Sequence, residues 1–167
     1  MIYTYLITAG IVLVSTLIQG HQSFDVIRIA GVKPDLIFII TVYMGYSFGS
    51  FNGEVTGFGG GLLHDSISNS PLGLMALPKL AIGFLAGMFG RSVLKSNIAT
   101  IILMIFVATI LKGIITLFLS YIFHQGMLTS IIDVIIPEAF YNAILSPMLF
   151  FIYDKIFQGE LEREGYL

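Results

Sequence analysis

The sequence predicts an all-α integral membrane protein with about six transmembrane helices. Of its 167 residues, 56% are hydrophobic and only 11% are charged, and the mean hydropathy is +0.94. A soluble domain carries roughly 25% charged residues because its surface faces water. A bilayer core about 30 Å thick takes roughly 20 apolar residues per helix, so a chain of this length can hold about six spans.

Apolar stretches define the individual spans. The run at residues 98–123 is almost unbroken, which excludes a transmembrane β-barrel because barrel strands alternate apolar and polar positions. The stretch at residues 3–19 has no positive segment before it and no cleavage signal after it, so we expect a retained helix rather than a signal peptide. The predicted spans form one transmembrane domain over residues 1–167, and they are residues 3–19, 35–49, 54–68, 72–90, 98–123 and 138–157.

Short polar or glycine-containing sequences separate the spans. Pro34 and Asp35 mark the start of the second span, because proline suits a first helical turn and a carboxylate is favourable near the positive end of the helix dipole. A tight turn is predicted at residues 51–53, and residues 69–71 are an Asn-Ser-Pro turn signal. Residues 124–137 are mostly apolar and are expected to lie in or near the outer interface.

Lysine and arginine positions predict the orientation of the chain. With six spans, the basic residues on the side of both termini are Arg91, Lys95, Lys155 and Arg163. Those on the other side are Arg28 and Lys33. The side with the excess is the cytoplasmic one, so both termini are expected in the cytoplasm. The net charge of −2 does not indicate a nucleic-acid partner, and the absence of cysteine leaves no thiol or disulfide chemistry.

Glycines recur at a period of four in the second, third and fourth spans. Helices in lipid have little hydrophobic driving force between them, so small residues at this spacing let backbones approach and pack by van der Waals contact. The pattern predicts internal packing of these spans near their cytoplasmic ends, and the alternative is a face offered to the helix of another protein. The glycines are Gly45, Gly49, Gly53, Gly57 and Gly61, followed by Gly83 and Gly87.

Each ionisable residue inside a span requires an explanation, because its insertion costs roughly 2.5–3.5 kcal/mol. Asp65 is near the outer end of the third span, and Lys79 is about two turns from the outer end of the fourth. A short turn joins these two spans, so they must be neighbours. The sequence therefore predicts a buried Asp65–Lys79 ion pair, either structural or part of a functional pocket, since an unpaired charge would cost more than the pair.

Other polar residues at membrane depth also fall in the outer half of the predicted spans. Together with Pro34 they predict an outer polar groove or partner-binding site, closed below by the glycine contacts. Lys112, in the fifth span, is expected to border this groove from below, but its own partner cannot be identified from the sequence. The residues assigned to the groove are Pro34, Asp35, Asp65, Lys79, Glu138 and Asn142.

No pattern in the sequence indicates catalysis, a metal or a cofactor. His64 and Asp65 are adjacent on a helix, so their side chains diverge by about 100°. The three histidines lack H-x-x-x-H spacing, and no Gly-x-Ser-x-Gly motif occurs. Asp65 and Asp154 lie on opposite sides of the predicted membrane, so they cannot act together as an aspartyl protease would require. We therefore expect no enzymatic activity.

Three segments of the sequence carry a resemblance to a known family. They are Val32-Lys33-Pro34-Asp35-Leu36, then Leu62-Leu63-His64-Asp65-Ser66 with Ser70-Pro71-Leu72-Gly73, and finally Pro137-Glu138-Ala139 with Asn142 and Ser146-Pro147. In this order, over residues 32–157, they resemble the MreD family of bacterial rod shape-determining membrane proteins. The chain departs from common family members at His64, which precedes Asp65, and in the glycine run at residues 59–61.

This resemblance implies a non-catalytic scaffold of the cell-elongation machinery in the bacterial inner membrane. The partners it implies are an MreC-like bitopic membrane protein, the peptidoglycan synthase formed by RodA and its transpeptidase, and MreB filaments. It also implies a helical arrangement similar to the S subunits of energy-coupling-factor vitamin transporters. An S subunit is therefore the alternative function, although no two of the small residues Ala9, Gly10 and Ser15 in the first span have the four-residue spacing with which such a subunit would engage its transporter.

Overall fold

The protein, seen in a computed structural model, is built from helices. The structure describes residues 2–21, 26, 28, 31–68, 70–91, 93–94, 97–123 and 131–163. The α-helices are α1 (Ile2–Gly20), α2 (Leu36–Phe48), α3 (Ser50–Ser68), α4 (Ala76–Met88), α5 (Ile98–Ile122), α6 (Ile136–Ile156) and α7 (Gln158–Arg163). A π-helical turn, Ile131–Ile135, leads directly into α6. No strand occurs among these described residues, and the predicted all-α class is confirmed.

Three helical segments are long and apolar enough to cross a membrane, namely Tyr3–Gly20, Ile98–Ile122 and Asp133–Ile156. The helices α2 and α4 are also apolar but have only 13 residues each. At about 1.5 Å per residue each measures about 20 Å, less than a bilayer core of about 30 Å. The 19 residues of α3 are less apolar and rich in glycine. The lengths and apolar composition of these helices are those of an integral membrane protein. The total of six spans stays a prediction.

The short helix α2 is buried along almost its whole length. Of its 13 residues, the 11 from Ile37 to Ser47 are buried, and it contacts α1, α3, α4, α5 and α6. A helix that is hydrophobic on all sides belongs in the interior of a large protein or a membrane domain. Because other helices surround α2, its length does not have to match the thickness of the bilayer.

Helix α1 places polar side chains toward the bundle and large apolar side chains on its outer surface, as a helix in lipid does. Its side toward the bundle carries the buried residues Thr4, Thr8 and Thr16, and the hydroxyls of Thr8 and Thr16 donate to backbone oxygens one turn earlier. Leu6 and Leu17 are instead 64% and 70% exposed. Because a soluble amphipathic helix has the reverse arrangement, lipid is the appropriate solvent for this outer surface.

The turn between α2 and α3 differs from the prediction. The helix α2 ends at Phe48 and α3 begins at Ser50, so the turn falls at Gly49 rather than at residues 51–53. Gly49 has a φ of +91°, a left-handed backbone conformation that glycine adopts without steric cost. The predicted span 54–68 therefore begins too late, because α3 already starts at Ser50.

The fourth helix begins later than predicted. It starts at Ala76 rather than at residue 72, because a turn with Gly73 at φ +102° precedes it. The other helices α1, α2, α5 and α6 begin and end within two residues of the predicted spans. Residues 69 and 124–130, which belong to two predicted connections, lie outside the described residues.

Candidate functional site

The glycines of α2, α3 and α4 bring three helix backbones into direct contact. A Cβ atom on Gly57 would lie only 2.5 Å from the backbone oxygen of Lys79, and one on Gly53 would overlap the carbonyl of Gly83. A side chain at these positions would push the helices apart, so α3 packs on α4 as the period of four predicts. The other glycines whose Cβ would meet backbone of a neighbouring helix are Gly45, Gly61, Gly83 and Gly87.

Two expectations about these glycines need correction. Nothing lies within 4 Å of a Cβ on Gly49, so this glycine serves the turn and not the packing. Gly83 lies against Gly53, and Gly87 lies against the backbone of Ser50. The face of α4 that carries Gly83 and Gly87 is therefore covered by α3 and is not open to the helix of another protein.

Asp35 is the centre of a buried polar cluster at the start of α2. Its Oδ2 lies 3.0 Å from Nζ of Lys79 and 3.0 Å from Nζ of Lys112. Its Oδ1 accepts a hydrogen bond of 3.0 Å from the backbone nitrogen of Phe38 and so caps α2. This one carboxylate joins α2 to α4 and α5.

The helix α6 contributes two further side chains to this cluster. Glu138 Oε1 accepts a hydrogen bond from Lys112 Nζ. Asn142 Oδ1 accepts from the backbone nitrogen of Asp35 at 2.9 Å, and its Nδ2 donates to Thr109 Oγ1 of α5 at 3.4 Å. Two ammonium groups thus meet two carboxylates, which is the condition under which buried charges are tolerated.

The predicted Asp65–Lys79 ion pair is wrong. Asp65 is fully buried, but its carboxylate caps the start of α4, and Lys79 bonds to Asp35 instead. Backbone N–H groups at a helix start satisfy a carboxylate well, because they carry the positive end of the helix dipole. Asp65 accepts from Ser70 Oγ at 3.1 Å and from the backbone nitrogens of Gly73, Met75 and Ala76 at 2.8, 2.9 and 3.3 Å.

His64 also belongs to the cluster, although it was not among the residues predicted for the site. Its Nδ1 lies 2.8 Å from Lys79 Nζ. An ammonium group can only donate, so Nδ1 accepts, and the proton of the neutral ring is assigned to Nε2. We use the name Asp35 cluster for Asp35, His64, Lys79, Lys112, Glu138 and Asn142.

A cavity of about 460 Å³ adjoins the Asp35 cluster. The ends of α1 and α3, residues of α5 and the start of α6 contribute to its lining. We use the name polar cavity for it. Three of the residues predicted for the outer groove line this polar cavity, namely Pro34, Asp35 and Glu138. Lys112 lines it as well, as expected from the sequence. The remaining three, Asp65, Lys79 and Asn142, are fully buried in the surrounding helices.

A second polar cluster, which was not predicted, joins the other end of α2 to α6. Arg91, just after α4, donates to Asp154 Oδ1 and, through Nε, to Ser47 Oγ at 3.1 Å. The hydroxyl of Tyr43 donates to the same carboxylate oxygen at 3.0 Å. The sequence signals available for this cluster were Arg91, just after one apolar stretch, and Asp154, near the end of another. These four residues are called the Arg91 cluster.

The side chains of both clusters form bonds that hold the helices together. Each lysine of the Asp35 cluster is bonded to a carboxylate, and the buried amide of Asn142 is bonded on both sides. Within the part of the chain that the structure describes, no three histidine, aspartate or glutamate side chains come together as a metal site would require. Beside the Asp35 cluster, the polar cavity is large enough to admit a small molecule.

These features define a helical membrane protein whose helices are joined by glycine contacts and by a buried ion network beside a polar cavity. A family model described as rod shape-determining protein MreD matches residues 1–159 of the 167-residue chain. The chain belongs to the MreD family, and the resemblance carried by the three sequence segments is confirmed. No curated protein and no solved structure matches the chain.

Proposed function

We propose that this protein is a non-catalytic scaffold of the bacterial cell-elongation machinery, located in the inner membrane. The family match over residues 1–159 carries this proposal, because the family takes part in determining rod shape. The proposed partner is an MreC-like bitopic membrane protein. RodA with its transpeptidase and MreB filaments are proposed as further members of the same assembly.

The buried contacts support a scaffold. The Asp35 cluster links α2, α3, α4, α5 and α6 through hydrogen bonds and ion pairs, and the glycine contacts hold α3 against α2 and α4. A surface that binds a partner gains affinity when it is already ordered before binding. A helical bundle held together by both the Asp35 cluster and the glycine contacts is suited to present such a surface.

We propose that the partner binds on the lipid-facing side, in an apolar groove between α4 and α5. This α4–α5 groove has a volume of about 310 Å³, and the lining residues Leu103 and Val107 are 64% and 46% exposed. Concave apolar surfaces receive helices by close packing. The surfaces expected from the sequence are less suitable, because Gly83 and Gly87 face α3 and Asn142 is fully buried.

Co-purification of a bitopic protein from detergent-solubilised membranes tests this proposal. Val107→Trp narrows the α4–α5 groove, whereas Ile144→Trp adds the same bulk on α6, where Ile144 is 74% exposed. We expect the wild type and Ile144→Trp to retain the MreC-like partner and Val107→Trp to lose it, while all three elute as intact monomers. Failure of the wild type to retain any bitopic protein would contradict the scaffold. Equal retention by both variants would contradict the groove.

The polar cavity is the observation that favours the alternative, a vitamin-binding S subunit. Such a subunit needs groups that stack on the ring of its ligand, and no Phe, Tyr or Trp is among the described residues that line the cavity. We therefore prefer the scaffold. Mass spectrometry of the purified protein distinguishes the two, because a stoichiometric vitamin in the absence of a bitopic partner would favour the S subunit.

We further propose six spans with both termini in the cytoplasm, on the basis of the lysine and arginine distribution. Cysteines introduced at Asn97 and Gln158 should react with an impermeant reagent only from the cytoplasmic side. A cysteine at Val26, which is 86% exposed, should react only from outside. Labelling of positions 26 and 97 from the same side would contradict this topology.

A further inference from the structure

A cleft beside the Arg91 cluster lies between the start of α5 and the end of α6. Its volume of about 470 Å³ is in the range of about 300–1,000 Å³ that is usual for ligand pockets. Asn97, the N-cap residue of α5, and Asp154, in the last turn of α6, both line it. The membrane-crossing segments Ile98–Ile122 and Asp133–Ile156 begin and end at this point, so this end of the cleft lies at the membrane boundary. We call it the α5–α6 cleft.

The α5–α6 cleft is apolar away from that boundary. Ile101 lines it from α5, and Pro147 and Met148 line it from α6. Pro147 and Met148 precede Asp154 by about two helical turns, so they lie about 10 Å further from the boundary along α6. Phe151, which is 72% exposed, also contributes to the wall. The cleft therefore has a polar end at the boundary and an apolar remainder, a division of polarity that matches an amphiphilic molecule.

The carboxylate of Asp154 has one oxygen that is available to a ligand. Its hydrogen bonds from Arg91 and from the hydroxyl of Tyr43 both end on Oδ1. Within the part of the chain that the structure describes, Oδ2 accepts no hydrogen bond, and the side chain is 30% exposed. A carboxylate can accept about four hydrogen bonds. Oδ2 can therefore accept from a donor that enters the α5–α6 cleft.

The charges around Asp154 favour a ligand that carries both a cation and an anion. In the same protein the carboxylate of Asp35 binds two lysines, and Glu138 balances the second positive charge. Arg91 already balances the charge of Asp154, so an isolated second cation would leave an uncompensated charge in a partly buried site. A zwitterionic headgroup adds no net charge, because its ammonium is accompanied by a phosphate. Ammonium N–H groups form strong charge-assisted hydrogen bonds with a carboxylate oxygen.

We propose that the α5–α6 cleft binds a zwitterionic phospholipid that has a primary ammonium group. The ammonium donates to Oδ2 of Asp154 at the membrane boundary, and an acyl chain lies along Ile101 and Met148 toward the centre of the bilayer. Among the described residues, none lines both this cleft and the α4–α5 groove. The lipid can therefore bind whether or not the proposed partner does.

Three lipids with identical acyl chains test the choice of headgroup. The purified full-length protein would be incubated in detergent with equimolar dioleoyl phosphatidylethanolamine, phosphatidylcholine and phosphatidylglycerol, and retained lipid would be counted by native mass spectrometry. Phosphatidylethanolamine has ammonium N–H donors, phosphatidylcholine has a cation without such donors, and phosphatidylglycerol has no cation. We expect the wild type to retain about fivefold more phosphatidylethanolamine than either of the others. Equal retention of phosphatidylethanolamine and phosphatidylcholine, or a preference for phosphatidylglycerol, would overturn the proposal.

Asp154→Asn tests whether this preference comes from the α5–α6 cleft. The amide keeps an oxygen for Arg91 and Tyr43 but replaces Oδ2 with an N–H donor, so we expect the preference for phosphatidylethanolamine to disappear. Asp133→Asn is the matched control, because Asp133 is exposed and does not line the cleft, and it should retain lipids as the wild type does. A preference in Asp154→Asn equal to that of the wild type would overturn the proposal.

A second pair of variants decides the question if Asp154→Asn does not elute as an intact monomer. Met148→Trp fills the apolar part of the cleft from α6, where Met148 is exposed. Ile144→Trp adds similar bulk at another exposed position of α6 that does not line the cleft. We expect Met148→Trp to retain about fivefold less phosphatidylethanolamine than Ile144→Trp. Equal retention by these two variants would overturn the proposal.

Discussion

The Asp35 cluster and the glycine contacts hold some of the same helices together by different means. At the glycines, α3 approaches α2 and α4 to backbone distance, and van der Waals packing suffices. In the Asp35 cluster, charged groups from α2, α4, α5 and α6 are withdrawn from water, and each one tolerates burial only while its partner is present. The glycines set how closely the helices lie, whereas the cluster determines which side chains must meet at one end of the bundle.

The largest effect is expected for a substitution that removes the carboxylate shared by two buried lysines. Asp35→Ala deprives both Lys79 and Lys112 of a carboxylate, so we expect the free energy of unfolding to fall by about 3–5 kcal/mol. Unfolding of the purified protein in mixed detergent micelles measures this. Asp133→Ala is the control, because Asp133 is exposed; equal losses in the two variants would contradict the central position of Asp35.

A smaller change in the free energy of unfolding is expected at the glycines of α3. Its sign should differ between Gly57 and Gly59. Gly57→Ala would place a Cβ 2.5 Å from the backbone oxygen of Lys79, so we expect a loss of about 1–3 kcal/mol. Nothing lies within 4 Å of a Cβ on Gly59, so Gly59→Ala should stabilise by up to about 1 kcal/mol through helix propensity. The same unfolding measurement applies. Stabilisation by both substitutions would show that α3 does not depend on close contact at Gly57.

The Arg91 cluster should give the smallest effect, because water reaches it. The side chain of Asp154 is 30% exposed, compared with 7% for that of Asp35. We expect Asp154→Asn to lower the free energy of unfolding by about 1 kcal/mol. Glu162→Gln, at an exposed residue of α7 whose carboxylate accepts a hydrogen bond from Gln158, should have almost no effect in the same measurement. A loss at Asp154 as large as that of Asp35→Ala would remove the distinction between the two clusters.

The glycine contacts could be predicted because their signal is local. A period of four within one stretch places small residues on one side of a helix, and the helices joined by short turns must be neighbours. The exception is Gly49, for which the pattern does not reveal that the turn requires its φ of +91°. Spacing alone cannot distinguish a glycine needed for packing from one needed for backbone conformation.

The pairing within the Asp35 cluster could not be predicted in the same way. The short connection between the third and fourth spans favoured Asp65 as the partner of Lys79, whereas the actual partner, Asp35, lies on another helix. The start of α4 was also predicted at residue 72 instead of Ala76. Spacing also does not show that the Asp65 carboxylate accepts from the backbone N–H groups before and at the start of α4. For Lys112, a single lysine in a long apolar run indicates only that some partner exists.

The central claim, that Asp35 rather than Asp65 is the ion partner of Lys79, is tested most directly by two double-mutant cycles on unfolding free energy. One cycle combines Asp35→Asn with Lys79→Met, and the other combines Asp65→Asn with Lys79→Met. We predict a coupling of about 0.5–3 kcal/mol in the first cycle and additivity to within about 0.5 kcal/mol in the second. Additive effects for Asp35 and Lys79 together with coupling between Asp65 and Lys79 would contradict the account.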